Sequence, residues 1–168
     1  MVFEVIDPIN DPHIIEYSES KIVLLNLVKN TLKFEMAPYC VVNMVGELCG
    51  IEVKHYLKTA HNWDELYNYI KTLTKDYKEQ FEGIVVEDSS GFMFKVKTKF
   101  YTDIKKLRGV ACAVYTYGKY MHENKLSEFE KEFVAECYKY YREGGEINPN
   151  NIVELLKHFN LYSHYTGE

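Results

Sequence analysis

The chain has 168 residues, of which 46% are hydrophobic, and a formal net charge of −5 at pH 7. This length allows one domain, or one and a half, with a sizeable core, and the negative charge argues against a broadly basic surface for nucleic acid. The four cysteines match no zinc-site spacing, and there is no signal peptide or membrane-spanning apolar run. These features predict a cytoplasmic protein with reduced core cysteines and no membrane partner.

Short β-rich segments are predicted first along the chain. Alternating or β-branched residues favour strands at 3–7, 13–17, 22–29, 40–44 and 51–56. Asp7-Pro8 and Asp11-Pro12 predict a turn between the first two, since a residue before proline avoids the helical region. A helix is expected from Asn62, which is an N-cap residue followed by an acidic Glu65 and by apolar residues at helical spacing as far as Tyr77.

A hairpin follows, with strands predicted at 84–87 and 92–98. The connecting Asp88-Ser89-Ser90-Gly91 has the composition of a turn with one residue at positive φ. Alternation places Lys95, Lys97 and Lys99 on one face, opposite Phe94, Val96 and Thr98, while Glu82 stands at the start of the hairpin beside Gly83. The pattern alone is also typical of a surface hairpin with solvated lysines.

Helical periodicity takes over near Asp103. Apolar positions from Leu107 to Met121 form one stripe, and Ser127 with Glu130 predicts a capping box for a second helix that ends at Gly144-Gly145. Asn148-Pro149 predicts the start of a third helix. The sequence thus predicts an α+β protein with a β-rich part at 1–102 and an all-helical subdomain at 103–168.

The order Glu82-Gly83-Ile84-Val85-Val86, a turn, Lys95-Val96-Lys97 and then Tyr101 resembles the adjacent fourth and fifth motifs of the covalent nucleotidyltransferases. Within them it most resembles the phage-type ATP-dependent RNA ligases that repair cleaved tRNA. The N-terminal Phe3-Glu4 strand is similar to their third motif. The resemblance covers about residues 1–101, without a residue-by-residue match for 31–60.

The resemblance implies that residues 1–102 are the antiparallel-sheet portion of a nucleotidyltransferase (adenylation) domain, followed by the helical subdomain. It implies ATP and Mg²⁺ as cofactors and RNA, with tRNA as one candidate, as partner. Lys95 and Lys97 would contact the α-phosphate, and Glu82 would hold Mg²⁺ near it. Glu4 would contact the ribose or the metal, and Phe3 would lie beside the adenine. The alternative for Glu4 is an exposed residue of the chain terminus without a role in the site.

The chain departs from the family pattern in one respect. These ligases use a lysine in Lys-x-Asp-Gly or Lys-x-Asn-Gly as the nucleophile, and neither tetrapeptide occurs here. The expectation is therefore the C-terminal part of an RNA ligase, whose missing N-terminal segment acts in cis or in trans.

Two functions remain open from the sequence. The first is RNA ligation, joining 3′-hydroxyl and 5′-phosphate ends through lysyl-adenylate and RNA-adenylate intermediates. The second is a non-catalytic nucleotide- or RNA-binding module that retains the ligase fold. The retained Glu82, Lys95 and Lys97 favour the first function, whereas the missing lysine favours the second.

Overall fold

The chain folds into strands with helices among them, followed by a further set of helices, which confirms the α+β class. A computed structural model describes residues 1–11 and 13–166. Its strands are β1 (Val2–Ile6), β2 (Lys21–Asn26), β3 (Glu52–Val53), β4 (Gly83–Glu87) and β5 (Met93–Lys97). Its α-helices are α1 (Tyr39–Cys49), α2 (Trp63–Lys75), α3 (Lys99–Tyr117), α4 (Glu128–Arg142), α5 (Ile152–His158) and α6 (Ser163–Thr166).

The first sheet has the order β1-β2-β3. β1 and β2 are antiparallel, with Phe3 opposite Leu24 and Val5 opposite Ile22, whereas β2 and β3 are parallel. The strand predicted at 13–17 is wrong, because this segment forms bends and sends Ile14 into the helical core instead. Pro12, part of one predicted turn, lies outside the described residues.

The strand predicted at 40–44 is also wrong, because the segment lies in α1. Val42 and Gly46 are buried on one side of this helix. A Cβ atom at Gly46 would overlap the Val53 side chain of β3, so glycine allows α1 to pack closely on the sheet. Tertiary packing here overrides the β propensity of Val41 and Val42.

β4 and β5 form the predicted hairpin, paired antiparallel from Gly83 opposite Lys97 to Glu87 opposite Met93. The Asp88 carboxylate accepts hydrogen bonds from the Ser90 and Phe92 amides, and Gly91 has a φ of 85°, as the turn composition predicted. Strand β5 ends at Lys97 rather than at residue 98, because Thr98 is the N-cap of α3. Lys99 therefore lies on the helix, and the prediction that it shares a strand face with Lys95 and Lys97 is wrong.

The helices after β5 contain most of the core. Leu107, Val110, Ala111 and Val114 are buried as predicted, but the stripe does not extend to Met121, which is 69% exposed because α3 ends at Tyr117. The capping box of Ser127 and Glu130 at the start of α4 is present. The third predicted helix begins as a 3₁₀ turn at Pro149–Asn151 and continues as α5.

The cysteines depart from the prediction that they are core residues. Cys137 is buried in the helical core, and burial raises its pKa to about 12. Cys40, Cys49 and Cys112 are exposed. Across the described residues, no helix has the combination of length and hydrophobicity that a bilayer crossing would need.

Candidate functional site

The hairpin brings Glu82 and Lys97 together at its open end. Glu82 immediately precedes β4, and the next residue, Gly83, pairs with Lys97 on β5. A Cβ atom at Gly83 would overlap the Val96 carbonyl oxygen, and its φ of 154° disfavours other residues, so glycine lets the two strands approach here. The Lys97 ammonium donates to the Glu82 carboxylate, and the two side chains are 35% and 38% exposed. An ion pair with both partners accessible to solvent thus marks this end of the hairpin.

The charges around Glu82 keep its carboxyl group ionised. Partial burial raises the pKa of Glu82, but the hydrogen bond and charge of Lys97, with smaller contributions from Tyr101 and Lys95, outweigh burial and lower the pKa below its usual value. The Lys97 Nζ atom also lies 4.9 Å from the centre of the Tyr101 ring. Glu82, Lys95, Lys97 and Tyr101 therefore form one electrostatic group.

Tyr17 connects this group to the first sheet. Burial raises the pKa of Tyr17, and the negative charges of Glu4 and Glu82 raise it further. Glu4 lies on β1 opposite Val23 of β2. Glu4 and Glu82, which are distant in sequence, therefore both act electrostatically on one tyrosine hydroxyl.

A pocket of about 200 Å³ lies beside Glu82. On one side it is lined by residues of the segment after β1, which are Asp11, His13, Ile14, Ile15 and Tyr17. On the other side it is lined by Glu82 and by two residues of α3, Tyr101 and Arg108. The pocket is thus built from three separate parts of the chain.

A second depression, of about 320 Å³, lies between α4 and the end of α5. Its lining includes Glu136, Glu143 and His158, and it contains none of the predicted site residues. The pocket beside Glu82 therefore remains the candidate site.

Comparison with known proteins identifies the family. Residues 1–101 match a family model described as RNA ligase. The chain belongs to the phage-type RNA ligase family. The match ends at Tyr101, so the part of the chain that this RNA ligase family covers contains Glu4, Glu82, Lys95 and Lys97. The comparison with curated proteins gives no match, and neither does the comparison with solved structures.

The RNA ligase family is generally ATP-dependent and uses a metal ion, so the residues of the site can be compared with what a metal ion and a phosphate chain need. The described residues contain no cluster of three or more His, Cys, Asp or Glu side chains able to hold a metal. Mg²⁺, however, is commonly bound by one or two carboxylates together with substrate phosphates and water, and Glu82 offers one such carboxylate. Lys95 and Lys97 offer the cations that a phosphate chain requires. The donor set therefore fits a metal–phosphate group better than a metal alone.

Phe3 and Glu4 lie on opposite faces of β1. Successive residues of a strand point to opposite faces, and Phe3 is paired with the buried Leu24, so it does not share the face of Glu4. Its assignment beside the adenine stays a prediction.

Tyr17 and Arg108 were not among the residues predicted from sequence to form the site. Arg108 lies close to Lys105 and Lys106 in the sequence, but these three side chains make different contacts in the structure. Lys106 pairs with Glu130, Lys105 lies 5.8 Å from the centre of the Tyr101 ring, and Arg108 lines the pocket. The seven-residue spacing from Tyr101 to Arg108, two turns along α3, was the signal that could have identified it.

Proposed function

We propose that this protein supplies the phosphate-binding and metal-binding side chains of an ATP-dependent RNA ligase that repairs cleaved RNA in the cytoplasm. The reaction joins 3′-hydroxyl and 5′-phosphate ends through lysyl-adenylate and RNA-adenylate intermediates. The observation that carries the proposal is the pairing of Glu82 with Lys97 beside Lys95 and Tyr101, within the part of the chain that matches the RNA ligase family.

Lys95 and Lys97 would contact the α-phosphate. Transfer of a nucleotidyl group places negative charge on the nonbridging oxygens, and cations positioned beforehand stabilise that charge without reorganisation. The Glu82 carboxylate holds the Lys97 ammonium at the end of β5. Lys97 would exchange this carboxylate for a phosphate oxygen when the nucleotide enters.

Glu82 would then be released to bind Mg²⁺ or its water shell. The ion would neutralise phosphate charge and orient the oxygens. The carboxylate and the ammonium neutralise each other in the absence of ligand. If ATP or Mg²⁺ bound alone, one of these two side chains would therefore lose its partner. We therefore expect ATP and Mg²⁺ each to bind more tightly in the presence of the other.

Glu4 and Phe3 would complete the nucleotide site. In this proposal Glu4 contacts the ribose or the metal. The electrostatic effect of Glu4 on the Tyr17 hydroxyl supports this role, because Glu82 acts on the same hydroxyl. Phe3 would lie beside the adenine, although β1 does not place it on the face of Glu4.

The nucleophile would come from another segment, in cis or in trans, because the sequence contains no Lys-x-Asp-Gly or Lys-x-Asn-Gly. The partner is RNA, with tRNA as one candidate substrate. The helices after Tyr101 would contact that RNA outside the nucleotide site.

The deciding experiment is ligation of a nicked RNA by the chain together with a lysine-bearing ligase segment, comparing wild type with Lys97→Ala. Losing one charged contact in the transition state should lower the rate by about two to three decades. Lys119→Ala, which removes an exposed surface charge after α3, is the matched control and should ligate normally. Normal ligation by Lys97→Ala would remove the catalytic assignment.

The absent nucleophile motif supports a second candidate, a non-catalytic nucleotide- or RNA-binding module. This module would bind ATP or RNA with the same Lys97 dependence but would form no lysyl-adenylate and no ligated product when the lysine-bearing segment is supplied. Transfer of labelled AMP to protein in that mixture would exclude it.

A further inference from the structure

We propose that the pocket between the segment after β1 and helix α3 is a second phosphate subsite, in which Arg108 is the binding cation. The inference deepens the proposed function, on which it rests for the choice between nucleotide and RNA as the source of the phosphate. It adds a residue beyond those of the hairpin.

Arg108 is a cation without a partner in the described structure. Its side chain is partly buried and lines the pocket, and it makes no ion pair or hydrogen bond with another described residue. Its neighbour Lys106, by contrast, is paired with Glu130 at 2.6 Å. A guanidinium held in a pocket without a carboxylate partner is suited to two parallel hydrogen bonds with a phosphate.

The lining of the pocket contains further polar residues. His13 Nε2 is buried and has no hydrogen-bond partner in the described part of the chain. Tyr17 and Tyr101 line the pocket beside it. Buried polar atoms are normally hydrogen-bonded, so this unpaired nitrogen beside the pocket is a group whose hydrogen bond a water molecule or a polar ligand would supply.

By themselves, the carboxylates in the pocket do not make it a metal site. Glu82 is already neutralised by Lys97, and Asp11 is exposed. Although Asp11, His13 and Glu82 all line the pocket, no three metal-ligating side chains among the described residues converge closely enough to hold a metal ion. Arg108 thus remains the partly buried charge in the pocket that lacks a partner among the described residues, which favours an anion.

The volume fits a phosphate group better than a whole nucleotide. Pockets for complete small-molecule ligands usually begin at about 300 Å³, whereas this pocket is about 200 Å³. Its place beside Glu82 and Tyr101 leaves two sources for the phosphate, which are the triphosphate of the nucleotide and the 5′-phosphate of the RNA.

The test uses the arginine side-chain NMR signals of the full chain. Arg108 and Arg142 are its two arginines, so each Nε–Hε signal can be assigned by substituting the other residue. Arg142 lies on the exposed side of α4, where its Nε donates to the Tyr138 carbonyl oxygen. Titration with inorganic phosphate should move the Arg108 signal and leave the Arg142 signal in place. If the two signals move equally, or neither moves, the subsite is refuted.

A second measurement identifies the source of the phosphate and separates this inference from the proposed function. Binding of ATP, of 5′-phosphorylated RNA and of the same RNA with a 5′-hydroxyl is compared for wild type, Arg108→Gln and Arg142→Gln. Arg108→Gln should weaken one of the two phosphate ligands at least about tenfold, and Arg142→Gln should weaken neither. Equal affinities in Arg108→Gln and wild type would refute the subsite. If Lys97→Ala leaves ATP binding intact while Arg108→Gln lowers it, the hairpin assignment fails and the subsite stands.

Discussion

The helices from Lys99 onward and the strands before them differ in how much apolar surface they bury. The main core cluster consists of Ile14 and of residues of the helical part, with Phe133, Ile104 and Leu156 fully buried. In the first sheet, by contrast, Val5 is 63% exposed and Ile22 is 53% exposed. The hairpin that carries Glu82 and Lys97 lies at the boundary. The comparison indicates that the helices supply most of the stability, whereas the hairpin and the residue before it supply the Glu82–Lys97 ion pair of the candidate site.

The largest effect should come from the helical core. Phe133→Ala would leave a cavity in a fully buried position, and the expected loss of unfolding free energy is about 3–5 kcal/mol. Phe34→Ala, at a position 68% exposed before α1, is the matched control and should change it by less than about 0.5 kcal/mol. Urea unfolding followed by circular dichroism measures both. Similar losses from the two variants would contradict the comparison.

The next effect concerns the junction between the two regions. Thr98 is fully buried, its hydroxyl donates to the Phe81 carbonyl oxygen at 2.5 Å, and it accepts from the Tyr101 amide as the N-cap of α3. Thr98→Val keeps the shape but removes both hydrogen bonds, so we expect a loss of about 1–3 kcal/mol in unfolding free energy. Thr98→Ser, which keeps the hydroxyl, should be less destabilised in the same urea titration. If Thr98→Ser has a lower unfolding free energy than Thr98→Val, the hydroxyl does not stabilise this junction.

The fold was predictable from sequence where the deciding interactions are local. The hairpin follows from the Asp88 and Gly91 turn, and α4 follows from the Ser127 capping box, both of which act within a few residues. Helix α1 was not predictable in this way, because its β-branched residues resemble a strand and the packing of Gly46 on Val53 is non-local.

The candidate site was likewise predictable where the interactions are local and not where they are non-local. Glu82 and Lys97 are separated by a single hairpin, so alternation and turn composition place them together. The pocket beside them also needs Tyr17 from a loop and Arg108 from two turns along α3. No periodicity in the sequence relates a loop residue to a helix residue so far along the chain, and only the packing of the segment after β1 against α3 brings them together.

A smaller effect is expected from the cap of α4 within the stable region. The Ser127 hydroxyl accepts from the Glu130 amide, and the Glu130 carboxylate accepts from the Ser127 amide and from Lys106. Ser127→Ala should lower the unfolding free energy by about 1 kcal/mol, because one amide at the helix start loses its acceptor. Ser18→Ala, at an exposed position before β2, is the control. An unchanged urea midpoint for Ser127→Ala would show that water replaces the cap without cost.

The smallest effect on stability should come from the site itself. Glu82 and Lys97 are both more than a third exposed, and such pairs contribute about 0–1 kcal/mol. Glu82→Gln should therefore shift the urea midpoint little, although in the proposed function it alters the Mg²⁺ dependence of RNA ligation.

The pH dependence of that small contribution has a definite sign. Because the pKa of folded Glu82 is lowered from 4.5, the contribution of the pair is present above pH 4.5 and is lost as the pH falls through the folded pKa. Wild type should thus exceed Glu82→Gln in stability slightly at neutral pH and equal it in strong acid. A loss of several kcal/mol at neutral pH would instead mean that the ion pair holds the hairpin closed, and exchange of Lys97 onto a phosphate would then have to overcome that energy. An unchanged Mg²⁺ titration in Glu82→Gln would separately remove the metal assignment. Phosphate binding by Lys97 would then be the only proposed function of the pair.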